Sequence, residues 1–190
     1  MPVTPIPERS ALVEEIVERE WNMMSAVVSD GRSLCQERPG TFRAMREMSH
    51  SVLSRDTLAS YLGDLENAHV DGRNLVTEKY ARMEGQIPPL SECPLIPRIV
   101  AIESAWMKEL CAAFPLTFQA AVSSFAAYES CELETYSDTT LTLLYRDVLA
   151  AREMGRNLVR ERYEHLFGKL GQGTLVEVEA RTREKAAASA

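Results

Sequence analysis

Three histidines, four cysteines and two tryptophans are all that 190 residues hold of the side chains that most often carry metal, redox or stacking chemistry. His50, His69 and His165 form no H-E-x-x-H pair, so the zinc-protease signature is excluded. Cys35, Cys93, Cys111 and Cys131 show no C-x-x-C spacing, which excludes zinc-ribbon and thioredoxin readings. In a reducing compartment these thiols stay free and behave as small half-buried hydrophobes. There is no Gly-rich phosphate loop and no G-x-S-x-G elbow. No apolar run approaches the ~18 residues that a membrane-crossing helix needs. The opening MPVTPIPERS has neither a basic region nor an apolar stretch, so no secretory signal is expected and the expected compartment is the cytoplasm. Lys plus Arg is 21 against 28 for Asp plus Glu, a net charge of −7, which argues against a nucleic-acid binder working through a broad basic face.

What the chain does contain is helical periodicity. Hydrophobic residues make up 45% and charged residues 26%, ordinary for a soluble domain. A chain of this length buries roughly 70% of its unfolded surface and needs no disulfide or metal to fold. Leu12, Val13, Ile16, Val17, Trp21, Met24 and Val28 form one amphipathic stripe, which Asp30-Gly31 ends. Thr41 is the expected N-cap of a helix to about Leu53. Ser54 is the expected cap of the next, with Thr57 three residues on. That helix is interrupted at Gly72 and continues over 73–84. Four prolines, at 88, 89, 94 and 97, mark a linker over 85–97. Further helices are expected from Arg98, over Leu116–Phe125, Thr139–Glu153 and Arg156–Phe167, with no strand pair. The predicted fold is therefore all-α: a single helical domain over 1–171, followed by a flexible tail over 172–190.

The chain also repeats itself. Residues 72–80 read GRNLVTEKY and residues 155–163 read GRNLVRERY, seven of nine positions identical. Thr57-Leu58 matches Thr140-Leu141, and Asp64 matches Asp147, at the same spacing. Glu18-x-x-Trp21 matches Glu103-x-x-Trp106 at a spacing two residues longer, and Cys35–Phe42 resembles Cys111–Phe118 at a shorter one. The expected architecture is an internally duplicated, pseudo-twofold pair of units, about 14–84 and 99–168. Ligand sites commonly form in clefts between such halves.

Several polar residues stand where apolar ones are expected. Glu103 shares a stripe with Ile99, Ile102, Trp106 and Leu110, and Glu18 sits beside Val17 and Trp21. A carboxylate on an apolar face must be paired, neutral or functional. Asn74 and Glu78 lie one turn apart, and Asn157 and Glu161 repeat that geometry, with Arg73 and Arg156 as natural basic partners. One reading makes these residues two buried networks that fix helix packing. Another makes them a pocket of carboxylates, arginines and tryptophans suited to proton transfer on a small amine or acid. A third makes the four glutamates a site for a hard cation such as Mg²⁺ or Mn²⁺. Trp21 and Trp106 serve as core anchors or stacking platforms. Tyr80 and Tyr163 share the stripes of Val76/Met83 and Val159/Leu166, which suits buried hydroxyls. Arg46 is either a bidentate carboxylate binder or half of a surface ion pair, and His50 lies one turn away.

FRAMRE at 42–47, SYLGDLENA at 60–68, GRNLVTEKYARM at 72–83 and ELETYSDTTLTLLY at 132–145 resemble a bacterial family catalogued as domain of unknown function 4125. The likeness spans about residues 14–168. The chain departs from the family pattern at Met48, Ser49, His50 and Leu53, where a glutamine, an aromatic and a tryptophan are usual. It departs again at Ser130-Cys131, where an arginine is usual. Similar small helical proteins act in bacterial β-carboline alkaloid pathways as cofactor-free Pictet–Spenglerases. The resemblance thus implies condensation of tryptophan, or a derivative, with an aldehyde or α-keto acid. That chemistry needs a carboxylate to free the amine, protonate the imine and remove the ring proton. Glu78 and Glu18 are the expected catalytic residues, with Glu103 and Glu161 in reserve. Arg46, Arg73 and Asn74 are expected to hold substrate, and Trp21, Tyr61 and Tyr80 to pack against it. No cofactor and no metal is expected. The expected partners are amine and carbonyl substrates, with no nucleic acid and no membrane, and a homodimer is left open. The competing reading is a non-catalytic helical module that binds a small molecule or a partner.

Overall fold

Side-chain caps set where the helices begin. The hydroxyls of Ser54 and Ser137 accept from the backbone N–H of Thr57 and Thr140, and the side-chain oxygens of Asn74 and Asn157 accept from those of Thr77 and Arg160. The structure is a computed structural model that describes residues 8–27, 34–118 and 122–188. In chain order the elements are α1 (Arg9–Ser25), α2 (Leu34–Glu37), α3 (Pro39–His50), α4 (Arg55–Val70), α5 (Leu75–Met83), α6 (Leu95–Ala113), α7 (Val122–Leu133), α8 (Asp138–Glu153), α9 (Leu158–Lys169) and α10 (Leu175–Ala188). Among the described residues there is no strand: the fold is all-α.

The apolar stripes meet in one continuous core, in which Ile16, Leu58, Ile99, Leu141 and Val148 are fully buried. Helix α1 packs on α3, α4 and α5, and α6 packs on α7, α8 and α9. The two groups join through α4 on α8, α3 on α9 and α5 on α7. Helices α3, α4 and α5 begin at 39, 55 and 75, and α7, α8 and α9 at 122, 138 and 158, each 83 positions later. Gly72 and Gly155, at φ 68° and 67°, turn the chain between the helices of each pair in the left-handed region that suits glycine. Bonds recur at the same interval. Asn74 Nδ2 donates to Met23 O at 2.8 Å, and Asn157 Nδ2 to Trp106 O at 3.1 Å. The N–H of Ser54 donates to Asp147 and that of Ser137 to Asp64, so each helix caps the other. In this register Glu103 stands opposite Glu20 and Trp106 opposite Met23, two positions from the Glu18/Trp21 match, and α3 stands opposite α7 rather than 35–42 opposite 111–118.

Some boundaries differ from expectation. Pro39 occupies the first turn of α3, so that helix starts before Thr41. Pro97 lies in the first turn of α6, where its missing N–H costs nothing, and the linker is shorter than its prolines suggest. Helix α6 ends at Ala113, a turn follows, and α7 runs on to Leu133, so one helix over 116–125 is not what forms. Part of that span, 119–121, and Asp30-Gly31 lie outside the described residues. Within 172–190, expected as a flexible tail, either a frayed helix or disordered, the described residues form α10 (Leu175–Ala188). Leu175 is buried, and the Glu179 carboxylate accepts from the backbone N–H groups of Leu116 and Thr117 and from the Thr117 hydroxyl.

Candidate functional site

The polar centre of the molecule gathers side chains from both halves. Arg46 of α3 makes two-pronged contacts with two carboxylates. Its Nε and Nη2 donate to Glu20 of α1 at 2.8 and 2.6 Å, and its Nη1 and Nη2 to Glu132 of α7 at 3.1 and 2.6 Å. Tyr61 of α4 donates its hydroxyl to Glu20 at 2.8 Å, and His50 Nε2 lies 3.1 Å from both Glu20 oxygens. Lys79 of α5 donates to Glu132 at 3.1 Å and to the Tyr128 hydroxyl at 2.9 Å. Burial alone would raise the pKa of Glu20 and Glu132. The charge of Arg46 overcomes it, with His50 adding to the effect at Glu20 and Lys79 at Glu132, and both carboxyls are held well below the usual range. Burial, together with the nearby carboxylates Glu20 and Glu132, pushes the Tyr61 and Tyr136 phenols well up. This cluster encloses only about 10 Å³ of free space, room for a water and no more.

Beside it lies a cavity of about 320 Å³, between α3, α5, α7 and α9. Tyr128, Phe125 and Tyr163 supply aromatic surface, and Met45, Met48 and Met83 apolar surface. Met45 and Met83 are exposed at its mouth. Arg46, Arg162 and Glu129 supply the charged groups. Arg162 forks onto Glu103, Nη1 and Nη2 donating at 2.6 and 2.9 Å, and Glu103 itself is fully buried. Glu129 of α7 has no ion-pair partner among the described residues. Burial, then the charges of Glu103 and Glu132, outweigh Arg162 and Arg46 and push its carboxyl up to about 8. It is thus protonated at neutral pH and able to move a proton near it.

The expected site residues are distributed unevenly. Arg46 and Tyr61 belong to the central cluster, and Glu103 reaches the cavity through Arg162. Glu78 and Glu161 are clamped by Arg73 and Arg156, each as a bidentate pair at the start of its helix. Glu18 pairs with Arg43 on the surface, and Asn74 caps α5. Trp21 packs on Phe42 with the Arg43 guanidinium 4.8 Å over its ring, and Tyr80 joins that same small cluster. The structure does not bring these last residues to the cavity.

Glu20, Lys79, Tyr128, Glu129 and Glu132 escaped the sequence reading. So did two Glu-x-x-His spacings, Glu47/His50 and Glu66/His69. In the first, the side chains part: Glu47 faces His165 and Lys169, while His50 faces Glu20. In the second, Glu66 takes a bond from Arg19 on the surface. Among the described residues no group of three His, Cys, Asp or Glu side chains is placed to hold a metal ion.

A family profile described as protein of unknown function (DUF4125) matches residues 10–180. The chain belongs to the DUF4125 family. No curated protein and no solved structure matches it significantly. In this DUF4125 chain, no helix among the described residues is long and apolar enough to cross a membrane.

Proposed function

We propose that this protein is an acid/base enzyme whose substrates meet in the α3–α5–α7–α9 cavity, and that it performs a Pictet–Spengler-type condensation. The observation that carries the reading is Glu129, an unpaired carboxyl with a pKa near 8 at a cavity wall. The cavity of about 320 Å³ lies at the small end of the range for small-molecule sites. The reaction class itself rests on the resemblance to Pictet–Spenglerases.

In that reaction the amine nitrogen attacks the carbonyl carbon, and one water leaves as the iminium forms. The indole carbon then attacks the iminium, and the ring proton departs to give a tetrahydro-β-carboline. No oxidant is consumed. Glu129, ionised once the substrate ammonium lies against it, takes the ammonium proton, returns it to the departing hydroxyl, and finally accepts the ring proton, which restores its protonated resting form. A group titrating near the working pH serves both directions. Tyr128, held at its oxygen by Lys79 at 2.9 Å, lies against the same space and steadies the departing oxygen. Arg46 and Arg162 stay locked on Glu20, Glu132 and Glu103, and fix the wall that Glu129 faces.

The test is mass spectrometry of purified protein incubated with L-tryptophan or tryptamine and a panel of aldehydes and α-keto acids. One enantiomer of a cyclised product, lost in Glu129→Gln, is expected. Racemic product at the no-protein rate overturns the reading. The second reading, a non-catalytic binding module, draws on Glu18, Glu78, Glu103 and Glu161, each of which is engaged by an arginine. It predicts a bound small molecule and no turnover.

A further inference from the structure

The charges around the cavity decide what kind of small molecule it can take. Arg46 is spent on Glu20 and Glu132, Lys79 on Glu132 and Tyr128, and Arg162 on Glu103. Three cations thus answer three carboxylates. Arg162 Nε has no hydrogen-bond partner but is itself buried, so it presents no exposed N–H to the cavity. A carboxylate entering here would find no uncommitted cation and would face Glu129. An ammonium would find the one carboxyl without a counterion, with the rings of Phe125, Tyr128 and Tyr163 around it. Aromatic faces attract cations, and methionine sulfur adapts to ring edges.

We propose that the cavity binds an arylalkylamine lacking a carboxylate, its ammonium against Glu129 and its ring among Phe125, Tyr128 and Tyr163. This deepens the acid/base reading and rests on the same cavity. It changes the expected amine from tryptophan to a decarboxylated amine of the tryptamine kind, and it leaves Arg46 a part of the wall rather than a substrate anchor.

Binding then exchanges one charge for another. The charges that act on Glu129 are those of Arg46 from α3, Glu103 from α6, Arg162 from α9 and Glu132 on its own helix, and Arg46 and Arg162 line the cavity with it. Tyr128 and Tyr163 line the same space, and Lys79 stands behind Tyr128. At pH 6.5 Glu129 carries its proton, and an arriving ammonium stabilises the ionised form, so the proton is released.

The experiment is calorimetric titration of the full chain with tryptamine, L-tryptophan and indole-3-propionate, in phosphate and in Tris. Tryptamine is expected to bind at least tenfold more tightly than either carboxylate-bearing ligand. Release of about one proton at pH 6.5 is expected, fading above pH 9, because the raised carboxyl is then already ionised. Glu129→Gln is expected to lose the proton release and at least tenfold in affinity. Should that variant fold poorly, the pH profile of proton release in the unaltered protein decides alone. Equal or tighter binding of indole-3-propionate, heats that do not depend on the buffer, or no amine binding each overturn the proposal. Tryptamine binding with no product from any carbonyl overturns the acid/base reading and leaves this inference standing. Product from L-tryptophan without preference for tryptamine does the reverse.

Discussion

Arg46 and Glu129 occupy the same place, the eighth residue, in α3 and α7, one a permanent cation and the other an acid. Around them the two halves otherwise run alike: Glu20 answers to Glu103, and Lys79 to Arg162. The first half therefore holds a surplus cation, which Glu132 neutralises from across the interface. The second half holds a surplus carboxyl, Glu129, which forms no ion pair among the described residues and lines the cavity.

That imbalance predicts how stability responds to pH. Glu129 has an ordinary carboxyl value near 4.5 when unfolded and about 8 when folded. Below 4.5 both states are protonated. Between 4.5 and 8 the unfolded state ionises while the native state does not, so the native state loses ground as pH rises through that window. Glu129→Gln removes this loss. Urea denaturation is expected to show a gain of roughly 1–3 kcal/mol at pH 8 and almost none at pH 4. A difference that does not change with pH would contradict the assignment.

The opposite sign holds at the centre. Glu20 and Glu132 are held well below the ordinary value, so their contribution is present above about 4.5 and lost as pH falls further. Acid unfolding followed by circular dichroism is expected to begin below pH 4.5. Substituting Glu132 by Gln is expected to flatten its slope.

Removing Arg46 takes the guanidinium from two buried carboxylates at once, leaving Glu132 with Lys79 and Glu20 with Tyr61 and His50. Arg46→Met is expected to cost about 3–5 kcal/mol in urea denaturation. Arg46→Lys is expected to cost less, since a point charge keeps the attraction and loses the fork. Equal costs for the two substitutions would show that geometry, not charge, dominates.

The clamps at the starts of α5 and α9 are partly exposed and should matter little. Glu78→Gln and Glu161→Gln are each expected to cost under about 1 kcal/mol. Asn74→Ala and Asn157→Ala lose a cap and a tie to α1 or α6, and are each expected to cost about 1–2 kcal/mol. Thermal melts of the four variants check both statements.

Local chemistry was readable in the sequence. The Ser54/Thr57 cap, the break at Gly72 and the buried place of Glu103 depend on neighbours within one or two turns, and the sequence displays those. The central cluster depends on partners 86 residues apart, such as Arg46 and Glu132, which no local spacing announces. One signal was available. Glu20 lies four residues from Ile16 and four from Met24, on the same buried stripe. The Trp21/Trp106 match points to Glu18, whereas the 83-residue interval of the GRNLV strings leads from Glu103 to Glu20. Glu129 offered the same signal, with Phe125 and Leu133 four residues to either side of it on α7, but its role depends on α3 and α9, which no local spacing places beside it.

The crossed caps, Asp147 on Ser54 and Asp64 on Ser137, make the seam between α4 and α8 self-complementary in the way of a twofold dimer interface. Here the two sides are tethered by the dozen or so residues between α5 and α6, so each half meets the other at an effective concentration that dilution cannot lower. Arg46 can therefore rely on a carboxylate supplied by the far half, and the cavity can keep one acidic group on one side only. A pair of identical, untethered halves would have had to carry that group twice.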